Sequence, residues 1–232
     1  MLLLILAFIV SMIPTVLLFL WIRGQKNIAE NYDNNCTKAF VRGLLSVLPV
    51  IPTSLVLNIA VNQTGFKESN PVLYQALYTF LVLAFSEELM KFLMMKGVIK
   101  GGKHSWYEIA AYMTLVGLGF ELIEAIPYAI GASPMVMFVR GLTVMHGGYG
   151  FITGYFYGKS VHTGNKAYGI FGFCLSWFLH GLYDFGLSEE LLAVDDDLAF
   201  IAITLAAISL VFLALLVRFF KKRRTDEKYL SI

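Results

Sequence analysis

The chain has 232 residues, of which 58% are hydrophobic and only 15% charged, and its formal net charge is +2 at pH 7. A water-soluble domain of this length needs more polar side chains to cover its surface, so the composition excludes an ordinary soluble protein. It also argues against a nucleic-acid partner, because the one basic run, at 221–224, follows an apolar segment and forms no basic face.

Seven apolar segments are long enough to cross a bilayer as helices, which takes about 20 residues each. They lie at roughly 1–22, 39–61, 72–97, 105–131, 134–157, 167–188 and 198–220. The first segment has neither a basic start nor a small-residue cleavage site, so we interpret it as a retained helix. The sequence therefore predicts an all-α, polytopic bundle of about seven transmembrane helices, built as a single integral membrane domain over 1–232.

The short loops between these segments differ in charge on the two sides of the membrane. If the N-terminus is outside, the outer loops hold Lys67 as their one basic residue, and the remaining loop lysines and arginines fall inside. The outer loop before the last segment is acidic, from Glu189 to Asp197. The positive-inside rule then predicts an N-outside, C-inside orientation, in an architecture that fits a bacterial plasma membrane surrounded by lipid.

Four successive predicted helices carry ionisable side chains at membrane depth. Each such group costs roughly 2.5–3.5 kcal/mol on insertion scales, so these groups must pair, face water or take part in chemistry. We predict that they converge in the interior of the bundle. In chain order they are Glu87, Glu88 and Lys91, then Glu121 and Glu124, then Arg140 and His146, then His180 and Asp184.

Helical spacing groups some of these side chains. Glu87 and Glu88 precede Lys91 by about one turn, so one carboxylate can pair with the ammonium and the other can serve as a general base. His180 and Asp184 are four residues apart and share a face, so that Asp184 can orient the imidazole.

The rise per residue gives approximate depths for the polar groups. His146 falls near the middle of the predicted fifth helix and Arg140 nearer its outer end, where a structural pairing suits it. Glu87 lies near mid-membrane, and Glu124 lies in the outer half. These depths predict a water-filled cavity that opens outward. On the fifth helix, Gly150, Gly154 and Gly158 form a small-residue stripe that lets another helix approach closely.

Several hydrolytic motifs are absent from the sequence. It contains no His-Glu-x-x-His, which argues against a metalloprotease of that helical type, and no Gly-x-Ser-x-Gly to supply a serine nucleophile. Tyr183-Asp184 lacks the Gly-x-Gly-Asp partner that aspartyl intramembrane proteases require. Chemistry based on glutamate and histidine remains.

Four sequence blocks resemble those of PrsW-type intramembrane proteases. Glu-Glu-x-x-Lys occurs at 87–91 and Gly-Phe-x-x-x-Glu at 119–124, and the third block runs from Phe138 through His146 to Lys159. The fourth, Leu-His-Gly-Leu-Tyr-Asp-Phe, occupies 179–185. The blocks keep the family's order over roughly 85–185, on four successive helices. The resemblance places the chain with the glutamic intramembrane proteases, which include the CAAX prenyl proteases and bacteriocin-processing enzymes.

The resemblance and the residue chemistry imply the same activity. We expect an intramembrane peptidase with its catalytic core at roughly 72–188, in which a glutamate activates water and histidines assist. The spacing leaves open which glutamate is the base. The resemblance implies no cofactor, although zinc remains an alternative, and it implies a single-pass membrane protein as substrate, such as an anti-sigma factor cut on the outer side. The expected catalytic residues are Glu87, Glu88, Glu124, His146 and His180, supported by Lys91, Arg140 and Asp184.

Two other functions use similar side chains. A proton-coupled transporter also carries intramembrane Glu, His, Lys and Arg, but it often has two related halves, and the sequence shows no such repeat. A non-catalytic membrane scaffold could keep the fold, but the complete motifs on four helices argue against it. The sequence does not predict the oligomeric state.

Overall fold

The computed structural model describes residues 2–25, 31–131, 144–188, 204, 211, 214–221 and 230–231. Its helices are α1 (Leu2–Arg23), α2 (Tyr32–Leu45), α3 (Val47–Asn62), α4 (Phe66–Ser69), α5 (Pro71–Leu77), the π-helix π1 (Tyr78–Phe85), α6 (Ser86–Ile99), α7 (Trp106–Gly131), α8 (Met145–Thr163) and α9 (Lys166–Gly186). Residues 214–221 are also helical. Two short strands, β1 (Lys103–His104) and β2 (Leu230–Ser231), pair antiparallel. The fold is all-α, as predicted.

Two of the described helices are long and apolar enough to cross a membrane. They are Tyr32–Asn62, which combines α2 and α3, and Trp106–Pro127 within α7. Phe8–Arg23 forms a shorter apolar helix. These stretches coincide with the first, second and fourth predicted segments. The count of seven crossings and the orientation of the chain remain predictions.

Large apolar side chains cover the outside of α1 and α3. Leu17 is 59% exposed, Leu48 62% and Val56 67%. An aqueous surface would not favour such a band of aliphatic side chains, whereas lipid tails would. The exposed faces of these helices are therefore the surfaces that suit contact with lipid.

Helix α7 forms the centre of the fold. Its Ile109, Met113 and Leu118 are fully buried, as expected of a largely apolar helix in the core of a bundle. Gly154 of α8 meets it closely, because a Cβ atom there would lie 2.9 Å from Cα of Ala110 in α7. Gly150 also faces α7 and Gly158 faces Trp106. The predicted glycine stripe therefore does allow a close approach of two helices.

The start of α8 differs from the sequence prediction. The sequence predicts a helix over 134–157 with His146 near its middle, whereas the described helix α8 begins at Met145 and ends at Thr163. Residues 134–143 of the predicted segment lie outside the described residues. The preceding Val144 has a left-handed backbone conformation with φ of 45°, which a β-branched residue rarely adopts and which stops the helix from extending backwards. His146 therefore lies in the first turn of α8.

Candidate active site

One ammonium group joins three helices at the centre of the site. Lys91 of α6 is fully buried, and its Nζ donates to Oε1 of Glu88 at 2.6 Å. The same Nζ lies 2.9 Å from Nδ1 of His146 on α8 and 4.7 Å from the centre of the Phe120 ring on α7. A buried ammonium is stable only with such partners, so Lys91 fixes the relative positions of these helices.

His146 is held at three points. Because its Nδ1 accepts from Lys91, the ring proton belongs on Nε2, which donates to Oε2 of Glu124 at 2.5 Å. Its backbone N–H donates to Oε2 of Glu121 at 2.9 Å. Two carboxylates of α7 thus orient one residue at the start of α8, where the backbone N–H groups have no partner within the helix.

His180 lies between three carboxylates. Its Nδ1 is 2.9 Å from Oε1 of Glu88, and its Nε2 is 3.1 Å from Oδ2 of Asp184 and 3.7 Å from Oε2 of Glu87. The ring of Tyr149 stacks on the imidazole with a centroid distance of 5.0 Å and an interplanar angle of 15°. The predicted pairing of Asp184 with His180 across one helical turn is present, and the stacking restrains the imidazole plane.

The two neighbouring glutamates have different surroundings. The Glu88 side chain is 0% exposed, and its Oε1 contacts both Lys91 and His180. The Glu87 side chain is 10% exposed. Among the described residues, Oε2 of Glu87 and Oε2 of Glu88 are both buried without a hydrogen-bond partner. Glu88 is therefore fixed through its Oε1 to Lys91 and His180. Among the described residues no hydrogen bond holds the Glu87 carboxylate, which lies 3.7 Å from His180 and can accept a proton from water.

A narrow cleft, partly open to the surroundings, reaches both histidines. It lies between the start of α8 and the end of α9, the helix ends that the predicted topology places on the outer side. Its polar lining comes from Glu121, His146, Tyr149, His180, Tyr183 and Asp184. The cleft reaches His180, and Oε2 of Glu87 lies 3.7 Å from Nε2 of that ring, behind the lining of the cleft.

Most of the residues selected from the sequence come together in this cluster, namely Glu87, Glu88, Lys91, Glu124, His146, His180 and Asp184. Arg140 lies outside the described residues. The catalytic set predicted from the sequence did not include Glu121 and Tyr149. Each lies three residues from a selected residue, on the same helical face, and this spacing was the available signal.

Three of these side chains could approach a metal ion. One ligand atom each from Glu87, His146 and His180 lies within 4.8 Å of the others, and one carboxylate with two imidazoles is a donor set found in catalytic zinc sites.

The ring nitrogens of this cluster already face protein groups. Nδ1 of His146 faces Lys91 and its Nε2 faces Glu124, while both nitrogens of His180 face carboxylates. Ligation needs an imidazole lone pair directed at the metal, so an ion would have to displace one of these groups. Glu87, His146 and His180 could therefore hold a metal ion only after a rearrangement of these contacts.

Comparison with known proteins identifies the family. The sequence model described as "PrsW family intramembrane metalloprotease" matches residues 34–221. The chain is 29% identical over 160 residues to Protease PrsW of Shouchella clausii (strain KSM-K16), an alignment that covers 66% of this chain and 69% of that protein. No solved structure matches the chain. The chain belongs to the PrsW family of intramembrane proteases, and it is a membrane protein.

Proposed function

We propose, from its membership of the PrsW family and the geometry of the cluster, that the chain hydrolyses a peptide bond with Glu87 as the general base. The observation that carries this assignment is the contrast between the two glutamates. Glu88 is held by Lys91 and His180, whereas the side chain of Glu87 is partly exposed and its Oε2 lies 3.7 Å from Nε2 of His180. A base needs an available lone pair close to the reacting water.

In the proposed reaction, the Glu87 carboxylate removes a proton from a water molecule located between Glu87 and the two histidines. The resulting hydroxide attacks the peptide carbonyl carbon, and the negative charge moves to the carbonyl oxygen. The Nε2–H of His180, which faces Asp184 at 3.1 Å in the resting site, is then shared with that oxygen. Glu87 then transfers its proton to the amide nitrogen as the C–N bond breaks, which yields a carboxylic acid and an amine and regenerates the carboxylate.

The surrounding residues position these groups. Lys91 and Glu88 form a buried ion pair that holds His146 and His180 from opposite sides. Glu124 and Asp184 accept hydrogen bonds from the imidazoles, which orients the rings as carboxylates commonly do in active sites. Such preorganisation lowers the cost of arranging charge in the transition state.

We propose that this chemistry needs no metal, although the description of the matching family includes the word metalloprotease. The support is the set of contacts around the histidines: Lys91 faces Nδ1 of His146 at 2.9 Å, and an ammonium beside a metal ligand is electrostatically unfavourable. Glutamate as the base fits the same contacts without displacing any of them.

The proposed substrate is a single-pass membrane protein, cut near the outer face of a bacterial plasma membrane. This proposal adopts the seven-helix, N-outside arrangement predicted from hydropathy and loop charge, which places the mouth of the cleft outside. By resemblance to the family, an anti-sigma factor is a reasonable first substrate class to test.

The first experiment co-expresses the protein with a panel of tagged single-pass membrane proteins from the same organism. Wild type is compared with Glu87→Gln, which keeps the shape of the side chain and removes its basicity. Glu68→Gln, at an exposed position on α4, is the matched control. We expect a fragment with wild type and with Glu68→Gln and none with Glu87→Gln, at equal protein levels.

A second arm repeats the assay on purified protein in vesicles with a zinc chelator. Cleavage that survives the chelator supports the metal-free proposal, and cleavage that disappears and returns with added zinc contradicts it. Cleavage by Glu87→Gln at the wild-type rate would rule out Glu87 as the base. Movement of a solute without cleavage of any panel member would favour the transporter alternative.

A further inference from the structure

The π-helix π1 leads directly into the segment that carries the two glutamates. Hydrogen bonds in π1 (Tyr78–Phe85) run from residue i to i+5, so its turns contain more residues than those of an α-helix. Glu87 and Glu88 follow as the second and third residues of α6. The number of residues in π1 therefore determines the direction in which both carboxylates point.

The rotation of α6 about its axis is critical for the site. Consecutive residues of an α-helix point about 100° apart, yet both glutamates approach the same imidazole. His180 Nδ1 lies 2.9 Å from Glu88 and its Nε2 lies 3.7 Å from Glu87. The ring fills the angle between the two carboxylates, so a small rotation of α6 would bring one closer and move the other away.

Helix α9 holds π1 on both sides of His180. One turn before His180, the indole Nε1–H of Trp177 donates to the backbone carbonyl oxygen of Phe80 at 2.5 Å. One residue after it, Gly181 lies against the Phe80 ring, where a Cβ atom would be 2.5 Å from Cδ1. The same helix that supplies the imidazole thus fixes the backbone that sets the rotation of α6.

Aromatic contacts extend this interface towards the glutamates. The Phe85 ring lies 5.3 Å from the Trp177 ring and 6.2 Å from the Phe173 ring, in edge-to-face arrangements. At the junction with α6, the hydroxyl of Ser86 donates to the carbonyl oxygen of Val82 at 2.5 Å. These contacts satisfy carbonyls in π1 and resist its conversion to a regular α-helix.

We infer that Trp177 and Gly181 are positioning residues for the reaction: by holding π1 against α9, they set the rotation of α6 that places Glu87 and Glu88 on the two nitrogens of His180. Neither residue contacts the reacting atoms. The inference rests on the proposed function for the roles of Glu87 and His180, but the geometry that it predicts can be measured without any substrate.

The test is magic-angle-spinning NMR of ¹⁵N-histidine-labelled full-length protein in lipid vesicles. The chain has four histidines, and His180→Gln assigns the His180 signals. Trp177→Phe keeps an aromatic ring and removes the N–H donor. Trp106→Phe is the matched control, because Trp106 Nε1–H makes a comparable bond of 2.6 Å to the carbonyl oxygen of Tyr155, away from the cluster.

We expect Trp177→Phe to shift both ring nitrogen signals of His180, because the two carboxylates move relative to the imidazole, and Trp106→Phe to leave them unchanged. On a substrate cleaved by the wild type, Trp177→Phe should lower kcat by about tenfold to a hundredfold with little change in KM, as expected for a small misplacement of the reacting groups.

Unchanged His180 signals in folded Trp177→Phe, or the same shifts in Trp106→Phe, would overturn the inference. If Trp177→Phe does not fold, Gly181→Ala provides the second variant, because its Cβ must displace the Phe80 ring, and unchanged His180 signals there would also overturn it. The signals do not depend on hydrolysis, so their outcome is separate from that of the Glu87→Gln assay.

Discussion

The ammonium of Lys91 lies 2.9 Å from Nδ1 of His146, although the two residues are 55 positions apart in the chain. An ammonium has only donors, so this contact determines which imidazole nitrogen carries the proton. It also places a positive charge where a histidine would otherwise offer a lone pair to a metal. The contact therefore bears on both the protonation of the site and its metal dependence.

The first prediction concerns this cation. Lys91→Met should destabilise the protein by roughly 3–5 kcal/mol, because it leaves the buried carboxylate of Glu88 without its counter-charge. Thermal unfolding in detergent measures the effect, with Lys100→Met at an exposed position as control. A Lys91→Met protein as stable as the control would contradict the assigned ion pair.

The second prediction concerns metal content. Purified wild type should hold substoichiometric zinc after incubation with zinc and desalting, because protein groups face every imidazole nitrogen of His146 and His180. Lys91→Met should retain more, because the substitution frees Nδ1 of His146 and removes the ammonium that repels a cation. Elemental mass spectrometry gives the ratio, and one zinc per wild-type chain would refute the metal-free site.

The third prediction separates the two glutamates. Glu87→Gln should reduce cleavage by about 10²–10⁴-fold, the range expected for loss of a general base, with the unfolding midpoint close to that of wild type. Glu88→Gln should lower the unfolding midpoint strongly, because an amide cannot neutralise Lys91. The measurements are cleavage rates and melting curves of both variants. A stable but inactive Glu88→Gln together with a destabilised Glu87→Gln would instead assign the general base to Glu88.

The fourth prediction concerns Glu121, whose Oε2 accepts from the backbone N–H of His146 at 2.9 Å. Glu121→Ala should lower cleavage by about tenfold, since a hydrogen bond to a charged group contributes about 1.5–3 kcal/mol. Glu121→Gln keeps an acceptor oxygen and should restore part of the rate. Equal rates for wild type and Glu121→Ala would show that this contact does not position His146.

The fifth prediction tests the contact between α7 and α8. In Gly154→Ala the new Cβ would lie 2.7 Å from Cβ of Met113 and 2.9 Å from Cα of Ala110. Such overpacking costs about 1–3 kcal/mol and should lower the unfolding midpoint. Gly169→Ala is the control, because its nearest neighbour is Oγ of Ser160 at 3.3 Å. Equal midpoints for the two variants would contradict the close packing.

The sequence by itself determined the chemistry available to this protein. Apolar segments separated by short charged loops are incompatible with a soluble domain, and ionisable residues at membrane depth must pair or function. Glu88 and Lys91 are three residues apart, and His180 and Asp184 are four residues apart. These spacings place each pair on one face of a helix, so both pairs could be predicted without the tertiary structure. The order of four motif blocks was sufficient to indicate the family.

Only the tertiary structure decided which partners meet across helices. The Lys91–His146 and Glu88–His180 contacts depend on how far each helix is rotated about its axis, and hydrophobic periodicity in an apolar helix reports that rotation poorly. The π-helix Tyr78–Phe85 consists almost entirely of apolar residues. An apolar α-helix has the same composition, so the sequence does not predict the π-helical hydrogen bonding or the rotation that it gives to α6. His146 was expected near the middle of a helix, but Val144 ends the backward extension of α8. The sequence gives no reason to assign Glu87 and Glu88 different roles. They differ because the rotation of α6 directs Glu88 towards Lys91 and His180 and leaves Glu87 more exposed.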